Sequence, residues 1–426
     1  MEEQKTVTAI IIGCGQRGQN YAGFALDFPT RLKVVGVVDP LLHRRRLLGD
    51  QHAVSQENQF TDWTQLQTRE KFADLVFICT QDKDHCGPAV LMASLGYHIV
   101  LEKPMAVTEE DCLKITQACE KNNVMLAVCH VMRYFPPCVK IKEFIDSGKI
   151  GQVMTINHTE NVGYWHFAHS FVRGNWRNQE ESTFSLMAKC CHDMDLIYYW
   201  LGSRKATAIQ SVGSNQHFKK ENKPEGATDT CLTCPLNKTC PYSATRIYLE
   251  NPVRRWPMSV VCDIEDDPTK YPGALKSALS TSRYGRCVYE CDNDVCDSQM
   301  VNLMFEGGTV ANLTMTAFSK EICARYTRIT GSLGEILWQG GENGPITIHC
   351  FRSGETEIVY PDLVAPPCKT RGHGGADYFL VDSVIKAVVS SNPEEIKSGA
   401  QESLASHLLV FKAEQSRLQH LQSQEN

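Results

Sequence analysis

The sequence predicts an α/β architecture followed by an α+β one: a doubly wound parallel sheet, then an open, predominantly antiparallel sheet with helices on one face. Three observations predict it. Over the first 130 residues, short and nearly continuous apolar runs alternate with helix-like segments, the pattern of strands buried on both faces. After about residue 150 the apolar residues fall at every second position instead, as on a half-buried sheet. A turn with three glycines, Gly13, Gly15 and Gly18, joins the first apolar run to the first helix-like stretch.

In chain order, the first-sheet strands are TAIIIG (8–13), LKVVGVVD (32–39), ADLVFICT (73–80), HIVLEKP (98–104) and VMLAVCH (124–130). Helices are expected between them, as in CGPAVLMASLG and TEEDCLKITQACEKNN. The second domain begins with GQVMTINHTENVGYW and ATAIQSVGSNQHF. A hairpin over 298–318 is expected to turn at Gly307-Gly308, followed by EILWQG, ITIHCF and ETEIVY. Residues 219–296, rich in Cys, Pro and Asp, read as an irregular insertion without a core of its own. Helices close the chain over about 374–419. The division is a nucleotide-binding domain over 1–130 and a substrate and oligomerisation domain over 131–426.

The 426 residues are too many for one ordinary core. A net charge of −6 and the lack of a long basic run argue against a nucleic-acid partner. No apolar run is long enough to cross a bilayer, and the acidic start MEEQK is not a secretory signal. The 19 cysteines, in a large chain without an export signal, read as mostly reduced thiols in the cytoplasm.

The glycine turn has the context of a dinucleotide fingerprint: buried strand, G-x-G-x-x-G, then helix. Gly13 permits the tight turn, Gly15 lets the backbone approach a pyrophosphate, and Gly18 allows close helix–strand packing. Gln16 and Arg17 complete the phosphate-facing loop. Asp39 ends the second strand, 24 residues beyond Gly15. A carboxylate there accepts hydrogen bonds from ribose hydroxyls and repels a 2′-phosphate, which favours NAD. Arg44, Arg45 and Arg46 follow closely and leave NADP open. The first domain is thus of Rossmann type.

Two further segments, ICTQDKDH (78–85) and LEKPMAVT (101–108), extend the pattern. With GCGQRG they resemble the Gfo/Idh/MocA oxidoreductases, the relatives of glucose–fructose oxidoreductase and inositol dehydrogenase. SLMAKCCHDMDLIYYWLG (185–202) is similar to that family's second-domain helix. The resemblance implies that Lys103 sits beside nicotinamide and the substrate hydroxyl, with Pro104 following a cis bond. It implies that Glu102 contacts the nicotinamide ribose, and that Thr80, Asp82 and His85 line the cofactor cleft. His192 matches the catalytic histidine and Asp195 a structural acid. The family commonly carries Asp four residues before that histidine. Here the position is Ala188, followed by Lys189. Glu160 and Asp193 are the candidates to supply the missing carboxylate, and Lys189 and Asp193 join the substrate-facing set. The resemblance also implies a homodimer or homotetramer formed through the open face of the second sheet.

Removing a hydroxyl proton needs a base that titrates near working pH, a role His192 and Lys103 can divide. The alternatives are a solvated surface lysine and a satisfied core histidine. The segment NHTENVGYWHFAHSFVRGNWR (157–177) interleaves His, Glu and Arg with aromatic rings. Rings stack on sugars while the polar groups bond hydroxyls, so Glu160, Tyr164, His166, His169 and Arg173 are expected to face a sugar or polyol substrate. The alternative is a packed loop with its polar groups satisfied. RGHGGADYFLVD (371–382) places His373 and Asp377 toward the cofactor cleft, or simply starts a helix.

TCLTCPLNKTCPY holds Cys231, Cys234 and Cys240. About one C-x2-C pair arises by chance at this cysteine content, but a third cysteine so close, with prolines after two of them, resembles a zinc knuckle. Structural zinc is the expectation, with Cys287 as fourth ligand, Cys291 or Cys262 in reserve, and free thiols as the alternative. The leading function is an NAD-dependent oxidoreductase acting on a carbinol. A glycoside hydrolase that oxidises its substrate transiently with bound NAD is the second reading, and a non-catalytic NAD sensor the third. The joint presence of Lys103 and His192 argues against the sensor.

Overall fold

The computed structural model describes residues 5–424, except 251, 253, 254, 264–266, 268 and 341–343. Strands β1 (Val7–Ile12), β2 (Leu32–Val38), β3 (Gln59–Phe60), β4 (Leu75–Ile78), β5 (His98–Leu101) and β6 (Leu126–Val128) form one parallel sheet. Their order is β3-β2-β1-β4-β5-β6. Helices α1 (Gln16–Asp27), α2 (Leu42–Gln51), α3 (Cys86–Ser94) and α4 (Glu109–Lys121) connect them. All four residues of β4 are buried, which explains its unbroken apolar sequence. The strand order reverses between β1 and β4, and a crevice opens at their carboxyl ends. β3 lies outside the sequence expectation, because two residues, one of them Gln59, make no apolar run.

Helix α5 (Pro136–Asp146) leads into the second sheet. Its strands are β7 (Val153–Asn161), β8 (Ala206–Ser214), β9 (Ser298–Phe305), β10 (Val310–Thr316), β11 (Ala324–Gly331), β12 (Gly334–Gly340), β13 (Ile346–Cys350) and β14 (Thr356–Val359). The order is β14-β13-β12-β11-β7-β10-β9-β8. Every pairing is antiparallel except β7 with β10. The β9–β10 hairpin turns at Gly307-Gly308, both with positive φ. β11 is absent from the sequence expectation for a physical reason. Its inward positions include Arg325 and Thr327, which break the apolar alternation.

Helix α6 (Cys191–Trp200) and the long closing helix α9 (Ala400–Gln424) cover one face of this sheet. The other face leaves Met154, Val212, Met300, Met304 and Val310 exposed. Between β8 and β9 lies the insertion, containing helix α7 (Tyr271–Thr281). Contrary to expectation it has a small core of its own, built from Tyr248, Tyr271, Leu275, Leu279 and neighbours. Helix α8 (Ala376–Ser390) returns to the first domain and packs on α1, while α9 also packs on α4. The larger core runs continuously from β1 into the second sheet.

Candidate active site

At the end of β1 the chain turns sharply. Gly13 has φ +91°, and a Cβ there would sit 2.5 Å from the Cys79 carbonyl oxygen. A Cβ on Gly18 would come within 2.0 Å of the Gly13 oxygen, so only glycine lets α1 approach β1 this closely. Gly15 has no such neighbour: a Cβ there would meet only Arg44 Nη1, at 3.9 Å. That open side is where backbone can approach a pyrophosphate. Gly15 also starts α1 without a side-chain cap, leaving first-turn N–H groups for an anion.

Asp39 is nearly buried and held from both sides. Its Oδ2 accepts from Cys14 N at 2.8 Å and its Oδ1 from Leu41 N at 2.8 Å. Each oxygen keeps a lone pair for a ribose hydroxyl. Arg44 donates to Asp263 of the insertion at 2.8 and 2.6 Å. Gln16 bonds Ser259 of the same segment. These residues fit an NAD-type cofactor: the glycine turn leaves room, and the acid is fixed where the adenosine ribose would lie.

Arg17 is committed elsewhere. It donates to Glu102 Oε1 at 2.5 Å and to both Asp377 oxygens at 2.8 and 3.0 Å, tying α1 to β5 and α8. Burial pushes the Glu102 carboxyl up, but the Arg17 charge outweighs it and holds Glu102 below its usual range. Asp377 is depressed for the same reason, with His373 adding to the effect. The Glu102 Oε2 accepts from Lys103 N at 2.9 Å, which orients the turn that follows. The Lys103–Pro104 peptide bond is cis.

The Lys103 ammonium donates to the Ala188 carbonyl at 2.7 Å, so the β5 turn reaches across to the second domain. His192 lies in the first turn of α6 beside it. Burial lowers the His192 pKa well below 6.5, and Lys103 is the leading charge acting in the same direction. Its Nδ1 has no hydrogen-bond partner among the described residues. The missing Asp is therefore not replaced: neither Glu160 nor Asp193 bonds His192. Around it, the His130 ring stands 6.0 Å away and the His373 ring 6.2 Å. His407, from α9, accepts from Met105 N at 2.8 Å and braces the Lys-Pro-Met turn. Asp195 binds Arg133 through two 2.7 Å bonds.

Thr80 and His85 face each other at the end of β4, His85 Nδ1 lying 2.7 Å from the Pro104 oxygen. Asp82 accepts from Trp176 Nε1 at 2.8 Å. Burial raises its pKa, partly opposed by His85 and Lys103.

A buried charge network lies behind Lys189. Glu160 on β7 is fully buried, 3.3 Å from Lys189 Nζ and 3.4 Å from Arg325, yet neither carboxyl oxygen makes a hydrogen bond among the described residues. Arg325 Nε donates to Asp193 at 2.7 Å, and His158 Nε2 lies 2.9 Å from the same oxygen. Burial pushes Asp193 up, and Arg325 and His158 more than reverse it. The Cys323 thiol sits between Lys189 Nζ at 3.0 Å and His166 Nδ1 at 3.4 Å.

The 157–177 segment divides. It is not a loop but a strand followed by short helical turns over Tyr164–Phe167 and Ala168–Arg173. His166 stays with the network, its ring 4.9 Å from Trp256. Tyr164 is half-buried against Tyr242. His169 and Arg173 turn into the insertion. His169 bonds Tyr248 at 2.7 Å, and Arg173 donates to the Arg286 and Tyr242 carbonyls at 2.8 Å each. They are not part of the wall that Glu160 and Lys189 form.

The zinc expectation also needs correction. Among the described residues no three His, Cys, Asp or Glu side chains are grouped to hold a metal ion. Cys231, Cys234, Cys240 and Cys287 surround a cavity instead of converging on a point. All 19 cysteines are free thiols.

Sequence reasoning missed Arg325, Cys323, His130 and His407. Arg325 had a signal, a lone cation at an inward strand position. The histidines come from distant elements and had none.

A doubly wound sheet with a glycine crevice, abutting a second sheet that delivers a lysine-facing histidine, defines a nucleotide-dependent oxidoreductase. The chain belongs to the Gfo/Idh/MocA oxidoreductase family: residues 7–130 match its NAD-binding Rossmann fold and residues 142–409 its C-terminal alpha/beta domain. YteT of Bacillus subtilis (strain 168) is 25% identical over 339 residues, 77% of this chain and 76% of that one. The 2,7-anhydro-N-acetylneuraminate hydratase of Escherichia coli (strain K12) is 24% identical over 209 residues, about half of each chain (49% and 53%). Levoglucosan dehydrogenase in complex with NADH superposes with a TM-score of 0.70 at 16% identity, covering 97% of this chain and 98% of that one. Among the described residues no helix is long and apolar enough to cross a membrane.

Proposed function

We propose that this protein uses NAD to transfer a hydride to or from a carbinol carbon of a sugar, polyol or related compound. The observation that carries the reading is the facing of Lys103 and His192 at the carboxyl edge of the first sheet. When bound, nicotinamide takes up or returns the hydride. His192, kept neutral by burial and by Lys103, accepts the hydroxyl proton. Lys103 polarises the same oxygen. Gly13, Gly15, Gly18 and Asp39 hold the cofactor, and the fixed Asp39 carboxylate with Arg44 engaged by Asp263 favours NAD over NADP. Glu160, whose carboxyl oxygens make no hydrogen bond among the described residues, offers acceptors to substrate hydroxyls, with Lys189 and His166 beside it. The exposed apolar residues on the outer sheet face are what a homodimer or homotetramer would cover.

A second reading has its own support. His192 lacks a carboxylate partner, and one relative is named a hydratase, not a dehydrogenase. Transient oxidation followed by elimination and re-reduction, as in glycoside cleavage, needs no net turnover of NAD. The test is to purify the protein, measure the NAD it carries, and screen polyols and glycosides with and without added NAD. NADH accumulating in step with substrate loss supports the dehydrogenase. Aglycone release without NADH supports the redox-neutral enzyme, and tight NAD binding with neither leaves only a sensor.

A further inference from the structure

The insertion contains an enclosed cavity of about 30 Å³ lined by Cys231, Cys234, Cys240 and Cys287. That is two to three times what one buried water requires. Two polar side chains on its wall are left without partners among the described residues. Arg173 Nη1 and Ser243 Oγ make no hydrogen bond, although both residues are at most 1% exposed. The Arg173 guanidinium is buried with no carboxylate in its list of neighbouring charges. What faces it is sulfur: its Nη2 lies 3.4 Å from Cys231 Sγ, and Cys291 and Cys287 are also close. A fully buried cation with a free donor against four thiols is uncompensated while the thiols keep their protons.

We infer that this cavity holds an iron–sulfur cluster of the [4Fe–4S] type, ligated by Cys231, Cys234, Cys240 and Cys287. A single zinc ion would draw its four sulfurs to roughly 3.8 Å from one another. The thiols here are instead arranged around a void, as a cube of iron and sulfide requires. Four thiolates and the cube carry about two negative charges, which Arg173 offsets, and its free Nη1 and the Ser243 hydroxyl donate to cluster or ligand sulfur. The spacing C-x2-C-x5-C, with Pro241 directly after Cys240, suits a ligand run of this kind. Loading replaces four S–H bonds with four Fe–S bonds and releases four protons, and no electron is transferred.

The location gives the cluster a positioning role. Arg173 ends the helical turn that carries His169. His169 meets Tyr248, Tyr284 and Trp256, and the Trp256 ring packs on His166 in the charged wall. The small core of the insertion does not include Cys234, Cys240 or Cys287, so the cluster would fasten the part that core leaves loose.

The test is anaerobic purification of the full chain and reconstitution with ferrous iron and sulfide. Expected are about four iron and four acid-labile sulfide per chain and a broad visible absorbance that bleaches with dithionite. Cys350→Ser and Cys368→Ser should keep the full content, while Cys240→Ala and Cys287→Ser should lose it. Arg173→Met should lower the reduction potential of any cluster retained, an effect that a merely structural arginine would not produce. Stoichiometric zinc without sulfide, four freely titrating thiols after reconstitution, or equal iron content in Cys240→Ala would each overturn the inference. These readouts are independent of NAD turnover.

Discussion

The Lys103 ammonium donates a 2.7 Å hydrogen bond to the backbone carbonyl of Ala188, joining the end of β5 to the helix turn before His192. A carboxylate at position 188 would have held the lysine as an ion pair. The carbonyl holds it more weakly and adds no charge. The lysine stays a mobile cation beside an imidazole with a free Nδ1. Replacing Lys103 by Met removes both the charge and the donor. Turnover should fall by about 10²-fold or more, with NAD affinity changed far less. Full turnover in Lys103→Met would remove it from the proton chemistry.

The same geometry makes Ala188→Asp informative. A carboxylate there would oppose the Lys103 charge that now helps depress His192. The His192 pKa should rise by about one unit or more. The acid limb of the kcat/KM profile should then move to higher pH by the same amount. An acid limb that stays in place would show that His192 is not the base.

Arg325 neutralises two buried acids at once, with 2.7 Å to Asp193 and 3.4 Å to Glu160. Arg325→Met leaves both to Lys189 and His158. Breaking a buried pair from one side costs about 3–5 kcal/mol, and the urea midpoint should fall accordingly. Adding Asp193→Asn should recover part of that loss. Additive losses in the double variant would mean that the two side chains do not act as a pair.

How much of this was legible depended on where the signal sits in the chain. The crevice was readable because strand, glycines, helix and Asp39 are contiguous or nearly so, and backbone sterics dictate each residue. Lys103 and His192 were readable only through a resemblance, since nothing local to LEKPMAVT says what lies opposite. The 157–177 segment misled because composition carries no direction. His166 and His169 are three residues apart, yet one meets Lys189's partner Cys323 and the other meets Tyr248 in the insertion. β11 was hidden by its own function: Arg325 and Thr327 face inward to serve Asp193 and His158, and so erase the alternation that marks a strand.

Cofactor choice should turn on two acids. Asp39 is clamped by two backbone amides, and Asp263 holds Arg44 away from a 2′-phosphate. Asp39→Ala should raise the KM for NAD by about tenfold or more, the value of a lost charge-assisted hydrogen bond. Asp39→Ala with Asp263→Ala should go further and favour NADP, because Arg44 becomes available to the added phosphate. The ratio of kcat/KM for the two cofactors checks this. A double variant that still prefers NAD as strongly as the parent would place the discrimination elsewhere.

Acid sensitivity should come from buried histidines before carboxylates. Burial is the leading cause that pushes His130 and His169 down to about 3 and His407 to about 4. Unfolded, each titrates near 6.5. Below that value the unfolded chain binds protons that the folded chain refuses, so stability falls as pH falls. It is fully present above pH 6.5 and declines through the window down to the folded values. At about 1.4 kcal/mol per unit, acidifying to about pH 5 costs roughly 2 kcal/mol for each of the three. The depressed carboxylates Asp193, Asp377 and Glu102 add their own losses only at lower pH, below their unfolded values of 3.8 to 4.5. The urea midpoint should therefore drop steeply between about pH 6.5 and 5. His407→Gln, which can still accept from Met105 N and donate to the Ser403 carbonyl, should reduce the slope by about a third. A midpoint that is flat across this window would mean that the three rings are not held neutral in the folded protein.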